Sequence, residues 1–144
     1  MSASEETVND MMEAYSLDAI DFAKSNFKVE LDYTGNSIAK IEGMAEKLYS
    51  DIPTNFIQKI FNKKPNEEEI DQICKMLGGY IGETIRKMKG GEWSFNQEIS
   101  PGQLVIELKV GEISIFPINK VHKRLSNGAE DNLNSFYRVM LEQL

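Results

Sequence analysis

Cysteine, histidine and tryptophan are nearly missing from this chain of 144 residues, which holds one of each. Cys74 alone cannot close an internal disulfide, and with only His122 as a second soft ligand it cannot build a structural zinc site. No metal and no cofactor is expected. No run of eighteen apolar residues occurs, so no membrane span is expected. The opening Met1-Ser-Ala-Ser-Glu-Glu is acidic where a secretory signal is basic and then apolar. The expectation is a cytoplasmic protein with a single domain over residues 1–144, since 41 % hydrophobic composition is enough for one real core.

Positive charge is also scarce. The formal net charge of −7 argues against a nucleic-acid binder, whose affinity comes from neutralising phosphates with lysine and arginine. The distribution says more than the total. Residues 1–32 hold eight acids against Lys24 and Lys28, a net of −6, which leaves −1 for the other 112 residues. Val8, Met11, Met12, Tyr15, Ala19, Phe22 and Ala23 recur at helical spacing, so an acidic helix is expected over about residues 1–25, with Asp10, Glu13, Asp18 and Asp21 off the apolar stripe. Such a face keeps a protein soluble or meets a basic protein partner.

Further along, Phe27, Val29, Leu31 and Tyr33 alternate with Lys28, Glu30 and Asp32, the period of a strand. A helix with Ile38, Ile41, Ala45 and Leu48 inward follows Thr34-Gly-Asn-Ser, and a short one carrying Phe56, Ile57, Ile60 and Phe61 follows Pro53. Asn66 and Glu69 form a capping box for a third helix, with Ile70, Ile73, Cys74, Leu77, Ile81, Thr84, Ile85 and Met88 on one core arc and Gly90 as its left-handed C-terminal cap. Strands are expected at Glu92–Ile99, Leu104–Lys109 and Glu112–Pro117, with Ser100-Pro-Gly102 as a tight turn. Helices at about Asn119–Asn127 and after a capping Asp131 close the chain. The expected fold class is α+β: helices packed on one face of a small antiparallel meander, with one added strand from residues 27–33.

The segment Leu77-Gly-Gly-Tyr-Ile-Gly-Glu83 is the oddest part of the chain, because three glycines sit inside a helix at a cost of roughly 1 kcal/mol each relative to alanine. Neither a dinucleotide fingerprint nor a Walker loop is present, and a phosphate cradle needs its glycines before a helix, not within it. Gly78 and Gly82 therefore admit a close neighbour, within the chain or from a second copy in a homo-oligomer. The alternative is a ligand pocket bordered by Gly79, Tyr80, Gly82 and Glu83, with Glu83 as a buried general acid rather than half of an exposed ion pair with Lys87. His122 is the other catalytic candidate, as the only side chain that titrates near neutrality without help, with Ser126 or Ser37 as nucleophile and Asp131 as orienter in a weakly signalled triad. Lys120, Lys123 and Arg124 suit an anion or, more economically, the chain's own acidic N-terminal helix.

Leu31-Asp-Tyr-Thr34 with Ser37 and Glu42, Gly79-Tyr-Ile-Gly-Glu83 with Gly90-Gly-Glu-Trp93, and Phe116-Pro-Ile-Asn-Lys-Val-His-Lys-Arg-Leu-Ser-Asn-Gly128 with Asp131 and Tyr137 are three signatures in one chain. Together they resemble a group of small, poorly characterised bacterial cytosolic domains. The resemblance runs from about residue 27 onward, leaves the acidic helix outside, and implies a domain without a known catalytic set. Small acidic bacterial proteins of this size include immunity and adaptor proteins, an analogy of class alone. The expected function is a non-catalytic protein-binding module; the alternative is a small enzyme or ligand binder at Tyr80, Gly82 and Glu83.

Overall fold

A computed structural model describes residues 3–51, 66–96 and 105–144. In chain order these form α1 (Ala3–Phe27), α2 (Gly35–Asp51), α3 (Glu67–Lys89), β1 (Glu92–Asn96), β2 (Val105–Val110), β3 (Ile113–Ile115), α4 (Pro117–Asn127), a 3-10 turn (Ala129–Asp131) and α5 (Leu133–Gln143). The expected short helix after Pro53, the Ser100-Pro-Gly102 turn, the end of the first strand and Leu104 lie outside the described residues. The architecture is α+β, with helices and an antiparallel meander of order β1-β2-β3. Its register places Trp93 opposite Leu108 and Leu108 opposite Ile115, and all three are buried, so this row is the sheet's inward contribution to the core.

Helix α3 is the centre. Asn66 Oδ1 accepts the Glu69 amide at 2.9 Å and Glu69 returns the bond to the Asn66 amide, which completes the expected capping box. Burial departs from the expected arc in two ways: every residue from Leu77 to Ile85 is buried, so this stretch is enclosed on all sides, whereas Met88, expected in the core, is 56 % exposed because the helix has by then run past most of the elements packed on it. The glycines make that enclosure possible. A Cβ on Gly78 would lie 2.6 Å from the Ile118 Cα of α4, and one on Gly82 would lie 2.2 Å from the Trp93 ring. A Cβ on Gly79 would lie 3.2 Å from Met12 and Tyr15 of α1. Three elements thus seat on three glycines, and the glycine border packs within the chain.

Residues 27–33 are not a strand. Helix α1 runs on to Phe27, and Lys28 (φ 56°) and Tyr33 (φ 62°) both take positive φ, which a strand does not accommodate. The alternation is real as a burial pattern, with Leu31 buried and Lys28, Glu30 and Asp32 exposed, but the connection lies against helices instead of pairing with the sheet. The start of α5 also differs. Asn132 caps it by accepting the Ser135 amide at 3.0 Å, while Asp131 is held by Lys120 at 2.8 Å and Asn127 at 3.0 Å. Among the described residues no helix is long and apolar enough to cross a membrane.

Candidate functional site

Helix α1 buries Val8, Met12, Ala19 and Ala23 and turns Asp10, Glu13, Asp18 and Asp21 to solvent. At about 100° per residue, Asp10, Ala14, Leu17 and Asp21 form one outward stripe, with Glu13 and Asp18 on its flanks. Leu17, 53 % exposed, stands in the middle of it. Among the described residues no ion pair engages any of the four acids. The result is an apolar knob ringed by uncompensated negative charge, the arrangement of an anchor with a polar rim.

The glycine surface is arranged differently. Glu83 is 2 % exposed and already engaged: its Oε2 accepts the Trp93 indole N–H at 2.9 Å, and Arg86 Nη1 lies 3.3 Å from both carboxylate oxygens. Lys87, four residues on, does not pair with it; its Nζ stands 4.6 Å from the centre of the Tyr33 ring. Tyr33 in turn stacks on Tyr80 with ring centres 5.0 Å apart. The Tyr80 hydroxyl accepts the Tyr33 amide at 2.6 Å and donates to Ser37 Oγ at 2.6 Å, whose own hydrogen goes to the Thr34 carbonyl. Burial raises the Tyr80 hydroxyl above the ordinary tyrosine value, so it stays protonated as this chain of bonds requires. Around Gly79, Tyr80, Gly82 and Glu83 the neighbouring space is thus filled by Met12, Tyr15, Trp93 and Tyr33.

Two clusters escaped the reading of the sequence. Arg124, fully buried on α4, gives Nε to both Glu42 oxygens at 2.9 and 3.1 Å and Nη2 to Glu42 and Glu46 at 2.8 Å each. Glu42 also accepts the Leu133 amide, so this one carboxylate ties α2 to α4 and to the start of α5. Two of the three basic residues therefore pair within the chain, Arg124 with α2 and Lys120 with Asp131, and not, as expected, with the acidic helix; Lys123 is exposed and enters no ion pair among the described residues. The second cluster joins α3 to α4: His122 Nε2 lies 3.1 Å from Asp71 Oδ1, and Lys75 holds the other Asp71 oxygen at 3.0 Å. Both residues, with Glu67, Glu68, Ile70 and Ser126, line an open cleft of about 580 Å³. Burial acts to raise the Asp71 carboxyl, but hydrogen bonds from Lys75 and His122 outweigh it and hold the group below the usual aspartate value. Cys74 lies beneath, its thiol pushed up to about 12 by burial, which makes it a poor nucleophile.

Glu42 and Arg124 are 82 positions apart and Asp71 and His122 are 51 apart, so no local spacing announces either contact. Leu17 was visible in principle, as a large apolar residue seven positions after Asp10 and four before Asp21 on the polar side of its helix. Among the described residues no three histidine, cysteine, aspartate or glutamate side chains gather as a metal-holding group. No protein-family model matches the chain, and no match to it is found among curated proteins or solved structures.

Proposed function

We propose that this chain is a non-catalytic protein-binding module of bacterial cytoplasm, of the immunity or adaptor kind, that docks a basic partner on the outward face of α1. The observation that supports this reading is the outward face of α1: four acids surround the 53 % exposed Leu17 and enter no ion pair among the described residues. An apolar contact supplies affinity that charge alone does not, while the acids steer a basic surface into register and repel acidic ones. The resemblance of the remaining chain to small bacterial domains without a known catalytic set accords with this.

Capture from native cell lysate by the immobilised chain tests the proposal. The wild type retains a specific basic protein, and the variant with Asp10, Glu13, Asp18 and Asp21 changed to lysine loses it. Retention also falls as salt rises toward 0.5 M, where the Debye length is about 4 to 5 Å. A partner held equally by the charge-reversed variant, or indifferent to salt, contradicts the proposal. A second reading, a small enzyme or ligand binder, draws its support from the α3–α4 cleft, which His122 and Ser126 line from α4 and Asp71 from α3. Beside Tyr80, Gly82 and Glu83 that reading would need Trp93 and Tyr33 to move.

A further inference from the structure

A hydrogen bond of unequal partners joins α3 to α5. The Tyr137 hydroxyl of α5 donates to Met88 Sδ, on the last turn of α3, at 3.2 Å. Tyr137 is buried and Met88 is exposed, so the bond runs from the interior to the surface. The same ring faces the start of α2, where a Cβ on Gly35 would lie 3.5 Å from it. The hydroxyl therefore sits where α2, α3 and α5 meet, and among the described residues the Met88 sulfur is its one hydrogen-bond partner. Burial raises this hydroxyl above the ordinary tyrosine value, so it keeps the hydrogen it donates. A thioether is a weak acceptor, and a buried donor is spent on it. Among the described methionines only Met88 is exposed: Met12 and Met44 are buried, and Met11, Met76 and Met140 are half-buried.

We infer that Met88 is a peroxide-responsive modification site, and that its oxidation to the sulfoxide tightens the contact of α3 with α5 through Tyr137. A sulfur lone pair attacks one oxygen of hydrogen peroxide and the O–O bond breaks. The departing hydroxide takes the proton from the transferred oxygen and leaves as water; sulfur loses two electrons and the peroxide gains them. The new sulfoxide oxygen is a strong acceptor and replaces the sulfur as partner of the Tyr137 hydroxyl. Because the side chain is already exposed, the polar product meets no burial penalty there. The same change at Met12 or Met44 puts an oxygen into the core, so oxidation strengthens the fold at one methionine and weakens it at the others. Methionine sulfoxide reductase removes the oxygen again, which makes the change a switch. Nothing in this depends on α1 as a docking face.

Brief treatment of the full chain with hydrogen peroxide, followed by peptide mass mapping and thermal melts, tests this. Met88 is expected to take up oxygen several-fold faster than Met12 or Met44. The chain oxidised at Met88 is expected to melt about 2 to 4 °C above the untreated chain, the shift that one improved hydrogen bond gives in a domain of this size. The reductase returns both mass and melting temperature, and treated Met88→Leu shows no rise. Without any oxidant, Met88→Gln, whose amide oxygen stands in for that of the sulfoxide, melts above Met88→Leu, and the difference vanishes when Tyr137→Phe is added. Position 88 is exposed and the three residues have similar helix propensities, so both single variants fold. Oxidation of Met88 no faster than of Met12 and Met44, an oxidised chain that melts no higher, or a glutamine variant no more stable than the leucine variant overturns the inference.

Discussion

Helices α1 and α3 each carry residues that are out of place for the helix that bears them, and the structure resolves the two cases in opposite ways. On α3 the anomaly is Gly78, Gly79 and Gly82, and each receives a neighbour from the same chain: Ile118, the Met12 and Tyr15 pair, and Trp93. Even the buried carboxylate beside them is satisfied, by the Trp93 indole and Arg86. On α1 the anomaly is Leu17 among Asp10, Glu13, Asp18 and Asp21, and nothing among the described residues answers it. An unusual pattern points outward only when the fold itself leaves it unmet. By that criterion α3 is interior architecture and α1 is the surface to test.

Substitutions that strike the interior should cost the most stability. Arg124→Ala removes the guanidinium that faces Glu42 and Glu46 and leaves a carboxylate inside the fold, so a loss of about 3 to 5 kcal/mol is expected in denaturant unfolding. Gly82→Leu comes next. Its Cβ alone would lie 2.2 Å from the Trp93 ring, and overpacking of that kind costs about 1 to 3 kcal/mol in a melt of the purified protein. If Gly82→Leu melts like the wild type, the contrast between the two helices loses its firmer half.

A smaller effect is expected at the junction of α3 and α4. Because the folded Asp71 carboxyl is held below its unfolded value, its contribution is complete above about pH 4 and is lost as pH falls through the lowered folded value. Melting temperature followed from pH 5 to pH 2 should therefore decline less steeply in Asp71→Asn than in the wild type. Parallel curves would mean that the contacts with Lys75 and His122 add nothing to stability.

Much of α3 was legible in the sequence because its signals are local: a cap bond spans three residues, a helical stripe repeats every three or four, and Gly90 stops the helix, although with φ 81° and ψ −163°, an extended conformation almost reserved for glycine, and not the left-handed cap expected. The packing role of the glycines was legible too, but not their partners, since Trp93 and Ile118 reach them only through tertiary folding. Residues 27–33 show the limit of periodicity. Alternation reports which side chains are buried, and a connection lying against helices writes the same pattern as a paired strand. The acidic face of α1 was legible as a helix face, whereas the absence of internal partners for it is a property of the whole fold.

The smallest stability effect belongs to the surface the account regards as functional, and that makes it the most direct test. Changing Asp10, Glu13, Asp18 and Asp21 to lysine alters exposed side chains alone, and such changes stay within about 0.5 kcal/mol apiece. Melting temperature and capture from lysate should be measured on the same preparation of this variant. A melting temperature close to wild type together with loss of the captured protein is the expected result. A variant that melts normally and still retains the same partner would contradict it.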